Sequence, residues 1–278
     1  MRSASSRPDG PAQLEKLRAK IRDLMPASAL TMATEDAHAP AAQDPALAAG
    51  PLLEVDRQLH LGTGLHEFCP QDYLDTPAAL AVQSGFMAQA LRRAGTAPPL
   101  LWVRARNSGQ DFGQPYPLGL QQWGLAPERT IFAETDSLTD ALWAMEDALR
   151  AGAWVMGEAG TSSRYDLTAT KRLHMAAQAR GGLALVLRHH DMIGASAALT
   201  RWRLSARPSP AQDWRGATGL PGLGSPRFRA HLERVRGGPP KQFDIEWKHA
   251  AFHVLEPAPL ADRTARPEPR SKPARQRA

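Results

Sequence analysis

The sequence has a single cysteine and no long apolar run. Cys69 is the only cysteine among 278 residues, so an internal disulfide is excluded. No stretch approaches the roughly 18 apolar residues of a membrane-spanning helix, so no membrane contact is expected. The first residues also lack the basic stretch and apolar core of a signal peptide. These absences together predict a reduced, cytoplasmic protein.

Most of the chain also lacks a large excess of basic over acidic residues. The net charge is +6, but residues 257–278 hold six basic and two acidic side chains, so +4 of it lies there. The remainder is nearly neutral, and the overall charge therefore gives little support to a nucleic-acid partner. The end segment is rich in Pro, Arg and Ala, which predicts a disordered basic tail.

Three parts follow from the pattern of apolar residues. Residues 1–50 are predicted to form an amphipathic helix and a flexible linker, residues 51–256 a folded core, and residues 257–278 the tail. The helix carries apolar residues at steps of three and four, which form one face. They are Leu14, Leu17, Ile21 and Leu24. Such a face packs either on the chain's own core or on a partner, and the sequence leaves both open.

The core alternates short apolar runs with helical patterns. Strands are predicted at 64–68, 100–104, 154–157 and 183–187, and helices at 77–93, 139–151 and 168–180. This alternation is typical of an α/β protein with a mostly parallel sheet covered by helices on both faces. Further strands are predicted around 199–204, 227–236 and 244–255. The last two flank a Gly-Gly-Pro-Pro turn, so antiparallel strands are expected at the C-terminal side.

The order of several segments resembles a known family. They read LEKLRAKI at 14–21, GLHEF at 64–68, YPLGLQQWGL at 116–125, DALWAMEDALRAGA at 140–153, LTATKRLHMAA at 167–177, SAALTRWRL at 196–204 and GGPPKQFDIEW at 237–247. As a set they resemble the RecA-like core. They resemble more closely the ImuA family of translesion-synthesis accessory proteins, which is related to the cell-division inhibitor SulA.

This resemblance implies a RecA-like fold and a role in DNA-damage-induced (SOS) mutagenesis. The implied activity is that of an adaptor between ImuB, an inactive homologue of Y-family polymerases, and an error-prone DNA polymerase, with RecA as a further candidate partner. Two alternatives belong to other classes. One is a SulA-like inhibitor of FtsZ assembly, and the other is a divergent DNA-dependent ATPase.

The segment after the first strand argues against the ATPase. A RecA-like ATPase needs G-x-x-x-x-G-K-[ST] there, because backbone N–H groups and the Lys hold phosphates while the hydroxyl binds magnesium. The segment begins at Cys69, has Leu74 and Asp75 in place of Gly and Lys, and keeps only Thr76. Thr76 is predicted to cap the following helix. A degenerate nucleotide loop, no cofactor and no catalysis are therefore expected.

Two other catalytic positions agree with this expectation. Arg106 lies near the place where a RecA-like ATPase has a carboxylate, and Glu158 ends the strand that would supply a magnesium-binding Asp. Without a phosphate loop, Glu158 is interpreted as structural or solvent-facing. His189, His190 and Asp191 follow another strand. Adjacent residues of an extended chain point to opposite faces, so no metal site is predicted.

Arginines are concentrated on the C-terminal strands. They are Arg201, Arg203, Arg227, Arg229, Arg234 and Arg236, interleaved with Trp202 and Phe228. Guanidinium groups beside aromatic rings are the chemistry of single-stranded DNA binding. The same alternation is typical of a half-buried strand whose charged face lies in water. Both interpretations, contact with DNA or a partner and a solvent-facing strand, stay open.

Overall fold

The structure, a computed structural model, describes residues 15–20, 23, 61–95, 98–106, 112–160, 163–215, 221–236 and 238–255. Predictions about the linker, the basic tail, Leu14, Ile21 and Leu24 lie outside these ranges. In the described part, no helix combines the length and apolar character needed to cross a membrane.

The strands and helices follow the predicted alternation through the core. The strands are β1 (Gly64–Pro70), β2 (Leu100–Ala105), β3 (Thr130–Thr135), β4 (Trp154–Glu158), β5 (Leu183–Leu187), β6 (Thr200–Arg207), β7 (Ala211–Arg215), β8 (Pro221–Leu223), β9 (Arg227–Val235), β10 (Lys241–Lys248) and β11 (Ala251–Val254). The helices are α1 (Thr76–Arg93), α2 (Pro117–Gln122), α3 (Leu138–Arg150) and α4 (Leu167–Ala179).

Nine of these strands form one sheet in the order β11-β10-β9-β6-β1-β5-β4-β2-β3. The strands from β6 to β3 in that order are parallel to one another. β9, β10 and β11 extend the sheet in antiparallel fashion, while β7 and β8 form a separate pair. This confirms the predicted fold: a mostly parallel sheet with antiparallel C-terminal strands, consistent with a RecA-like domain.

Helices cover both faces because each central strand is apolar on both sides. α1 packs on β1, β5 and β6, and Phe68, Phe86 and Trp202 lie in the core cluster between them. On the opposite face, α3 packs on β2 and β4, and α4 on β1 and β5. Met145 and Val186 belong to that second cluster.

Four features differ from the prediction. α2, β3 and the β7–β8 pair were not expected, and β3 lies at an edge of the sheet with only Ile131 buried. The predicted strand at 244–255 is two strands, because His249 and Ala250 adopt φ angles of 52° and 57° and reverse the chain. The turn brings β11 over α1, where a Cβ on Gly85 would lie 2.7 Å from the Phe252 ring.

The N-terminal helical segment, residues 15–20 and 23, contacts the core through two side chains. Leu17 is half-buried against the cluster beneath α3 and α4. Arg18 Nη2 donates to Asp147 Oδ2 of α3 at 2.8 Å. Leu17 therefore packs on the chain's own domain in this structure. The use of the apolar face as a partner-binding helix stays a prediction.

A buried histidine joins β1 to β6. His66 Nδ1 lies 2.8 Å from Thr200 Oγ1, and His66 Nε2 lies 2.8 Å from the Gly62 carbonyl. Trp202 Nε1 donates to the same threonine oxygen at 3.0 Å. Burial lowers the pKa of His66 from 6.5 to about 4, so the ring is neutral near pH 7.

This network gives the first prediction. The folded state resists protonating His66 while the unfolded chain accepts the proton near pH 6.5, so stability falls as the pH drops from 6.5 towards 4. Between pH 7 and pH 4, the free energy of unfolding of the natural protein is expected to fall by about 3 kcal/mol more than that of His66→Gln. Urea unfolding of both proteins across this range measures the difference. Parallel pH profiles would contradict the assignment.

Candidate site at the carboxyl edge of the sheet

The loop after β1 uses its backbone donors within the protein. Asp72 Oδ1 accepts hydrogen bonds from the N–H groups of Leu74 at 2.9 Å and Asp75 at 3.3 Å, which fixes the 3-10 turn Tyr73–Asp75. The N–H of Ala206 in β6 donates to Asp75 Oδ1 at 2.8 Å. A phosphate-binding loop points such N–H groups at its ligand. Here the acceptor of the Leu74 and Asp75 N–H groups is the Asp72 carboxylate. The Leu74 side chain is 79% exposed.

Thr76 and Cys69 flank this turn. Thr76 is the first residue of α1, and its hydroxyl donates to the Tyr73 carbonyl at 2.7 Å. The prediction that Thr76 caps the helix is therefore wrong, because the 3-10 turn runs directly into the helix and Asp75 takes the cap position, where its side chain makes no capping hydrogen bond. Cys69 is buried in β1, and burial raises the pKa of its thiol to about 11.

A buried ionic cluster lies beside the loop. Glu67 Oε2 in β1 accepts from Arg188 Nη1 at 2.9 Å and from Arg201 Nε at 2.8 Å. Glu67 and Arg188 are 0% and 2% exposed. Burial alone would raise the pKa of Glu67, but the two guanidinium groups and a hydrogen bond from Ser196 outweigh it and lower that pKa. The carboxylate therefore stays ionised and joins β1 to the carboxyl end of β5 and to the beginning of β6.

Neither Glu67 nor Arg188 was among the predicted site residues. Each is a charged residue within or directly after a run that is otherwise mostly apolar, in GLHEF and LALVLR. A buried charge requires a partner, so a charged residue in an apolar run indicates a buried ion pair. The partner could not be named, since Glu67 and Arg188 are 121 residues apart in the sequence.

Arg203 links the carboxyl end of β1 to the loop after β5 through hydrogen bonds to backbone carbonyls. Its Nη1 donates to the carbonyls of Pro70 at 3.2 Å and His190 at 2.9 Å. Its Nε donates to Glu233 Oε1 of β9 at 2.5 Å. Arg201 and Arg203 thus lie within one network with the ends of β1 and β5, and both have a carboxylate partner.

The other predicted contact arginines follow β9. Arg227 pairs with Glu246 and Arg229 with Asp244, each at 2.9 Å. Arg234 Nη1 donates to the Ser196 carbonyl at 2.6 Å. Arg236 lies near His174, whose pKa is lowered by burial and then by this positive charge. Carboxylates thus offset much of the positive charge on this face, and contact with DNA stays a prediction.

Glu158 and Arg106 are engaged elsewhere. Glu158 is 3% exposed at the end of β4, and Trp102 Nε1 donates to its Oε1 at 3.2 Å. Burial raises the pKa of this carboxyl. Arg106 pairs with Asp136 at 3.1 Å beyond the end of β3. Both side chains link neighbouring elements of the domain.

The fold defines the class of protein: an α/β domain consistent with a RecA-like fold, in which Asp72 accepts hydrogen bonds from two backbone N–H groups of the loop after β1. No family model matches the chain. Protein ImuA of Caulobacter vibrioides, from strains NA1000 and CB 15, is 31% identical to it over 201 residues, which is 66% of this chain and 75% of the relative. The chain therefore belongs to the ImuA family. Membership supports, at the level of the family, a role in the ImuA/ImuB mutagenesis system.

The buried cluster gives the second prediction. Glu67→Gln removes the negative charge between two guanidinium groups and is expected to lower the free energy of unfolding by about 3 to 5 kcal/mol. Asp244→Asn is the matched control, because it makes the same change in a pair whose two side chains are 36% and 37% exposed. Its expected cost is about 1 kcal/mol or less. Equal losses in chemical denaturation would contradict the role given to Glu67.

Proposed function

We propose that this protein is a non-catalytic adaptor of DNA-damage-induced translesion synthesis, which bridges an ImuB-type polymerase homologue and an error-prone DNA polymerase. The proposed absence of catalysis rests on one observation. The backbone N–H groups of Leu74 and Asp75 are bonded to Asp72, in the segment where a RecA-like ATPase holds phosphates. Family membership supports the biological setting.

Electrostatics supports the same conclusion. Asp75 places a carboxylate where an ATPase has a lysine, and Asp72 adds a second carboxylate three residues before it. One unit charge at about 4 Å from another contributes roughly 4 kcal/mol near a protein surface, and here the interaction with a phosphate would be repulsive. The Thr76 hydroxyl already donates to a carbonyl. The proposal therefore assigns no nucleotide cofactor to the protein.

A partner surface is available away from this edge. On α3, Trp143 is 55% exposed one helical turn from Asp147, the residue that holds Arg18 of the N-terminal helical segment. A groove of about 250 Å³ runs beside Trp143 between α3 and α4, and most of its lining side chains are polar or charged, among them Glu146 and Arg172. An exposed tryptophan within a polar surround is typical of protein contacts. We assign this surface and the adjoining helical segment to the polymerase homologue.

The third prediction tests bridging directly. The immobilised polymerase homologue is expected to retain the error-prone polymerase only when this protein is added. Leu17→Asp with Ile21→Asp is expected to reduce that retention, because burial of each apolar side chain contributes about 1.5 to 3 kcal/mol. Ala19→Asp, on the exposed side of the same segment, is the matched control and is expected to bridge normally.

The outcomes of this assay separate two claims. No retention with the natural protein would contradict the adaptor function. Undiminished bridging by the double variant with a lowered melting temperature would instead mean that the helix only completes the chain's own core. A thermal melt of each variant is therefore run beside the assay.

The fourth prediction concerns ATP. The purified protein is expected to show no magnesium-dependent hydrolysis, with or without single-stranded DNA, since the loop has no lysine for the phosphates and the N–H groups of Leu74 and Asp75 are bonded to Asp72. Phosphate release is the measurement. Turnover that disappears in Thr76→Ala or Glu158→Gln would establish the ATPase alternative instead.

A further inference from the structure

The short loop after β5 brings three metal-ligating side chains together. His189, His190 and Asp191 each offer one donor atom, and these atoms lie within 4.8 Å of one another. An extended chain was expected at these three residues, which would point adjacent side chains to opposite faces. The chain turns here instead, and the Met192 N–H donates to the His189 carbonyl at 3.2 Å.

The backbone of this loop is held in place by two arginines, the buried Arg188 and the partly buried Arg203. Arg188 Nη2 donates to the Met192 carbonyl at 3.1 Å, and Arg203 Nη1 donates to the His190 carbonyl at 2.9 Å. Glu67 holds the first guanidinium group and Glu233 the second. The loop is thus fixed at both ends before any ligand arrives, which reduces the ordering cost of binding. The same carboxylates offset the positive charge of both arginines.

The donor set has the chemistry of a transition-metal site. His189 Nδ1 contacts Asp191 Oδ1, and the rings of His189 and His190 are 4.2 Å apart. His190 Nδ1 is buried and has no hydrogen-bond partner among the residues that the structure describes. Imidazole nitrogen and carboxylate oxygen are ligands of Zn²⁺, and three protein ligands leave a fourth position for water. Cys69 is not a candidate ligand, because its thiol is buried and its pKa is raised.

We propose that His189, His190 and Asp191 form a Zn²⁺ site at the carboxyl edge of the sheet. The Tyr73 ring lies edge-on to His190, 6.4 Å between centroids. The site therefore connects the loop after β5 to the turn after β1. A bound ion would stabilise the two loops relative to each other, in addition to the adaptor function proposed above.

The test uses the full chain without a histidine tag, stripped of metal by a chelator. Zn²⁺ is titrated in competition with a chromophoric chelator, and Co²⁺ serves as a spectroscopic probe. The natural protein is expected to bind one equivalent and to give the visible absorption of four-coordinate Co²⁺. Asp191→Asn and His190→Gln are each expected to weaken binding by about tenfold or more, since each removes one of three ligands.

His253→Gln is the matched control, because His253 is exposed on β11 and bonded only to the Lys248 carbonyl among the described residues. It is expected to bind Zn²⁺ like the natural protein. Thermal melts without metal verify that every variant is folded. Stoichiometric binding that survives in both loop variants, or no binding by the natural protein, would overturn the proposal. Neither result changes the expected outcome of the bridging assay, so the Zn²⁺ site and the adaptor function can be contradicted independently.

Discussion

The Glu67 carboxylate between the guanidinium groups of Arg188 and Arg201 is the interaction on which this domain's functional edge depends. Glu67 and Arg188 are almost fully buried at adjoining parallel strands. Charges in such a place are stable only when they are paired and hydrogen-bonded. The cluster therefore joins β1 to the end of β5 and to the beginning of β6. Arg188 also holds the loop after β5, because it donates to the Met192 carbonyl.

This arrangement explains the character of the carboxyl edge. In an open α/β sheet, the crevice beyond the carboxyl ends of the strands is the usual ligand site. Here arginines from β5 and β6 bind the protein's own carboxylates and carbonyls, and Asp72 binds the N–H groups of the first loop. The same edge carries the exposed Leu74 and the partly buried His189 and His190.

The parts of the fold that were predictable have strong local patterns. LLWVR and LALVL are continuous apolar runs and became β2 and β5, because strands buried on both faces have no polar alternation. β3 was missed since it lies at the sheet edge, where only one of its side chains is buried. The two-residue turn at His249 and Ala250 was missed because the pair contains no glycine, asparagine or aspartate, the residues that usually mark such a turn.

The candidate site was predictable only in part. The sequence alone shows that Leu74 and Asp75 differ from the glycine and lysine of a nucleotide-loop pattern. The hydrogen bonds to Asp72, the pairing of Glu67 with Arg188 and Arg201, and the convergence of His189 with Asp191 depend on the folded chain. Sequence spacing does not encode contacts across more than a hundred residues, and a turn cannot be distinguished from an extended segment by two adjacent histidines.

The most direct test of the adaptor function is an affinity purification of the protein from cells exposed to a DNA-damaging agent, with undamaged cells as the control. Quantitative mass spectrometry of the bound proteins is the measurement. We expect the ImuB-type homologue and an error-prone polymerase to be enriched together in the damaged cells. Enrichment of FtsZ without either polymerase protein, accompanied by filamentation of cells that overproduce the chain, would contradict it.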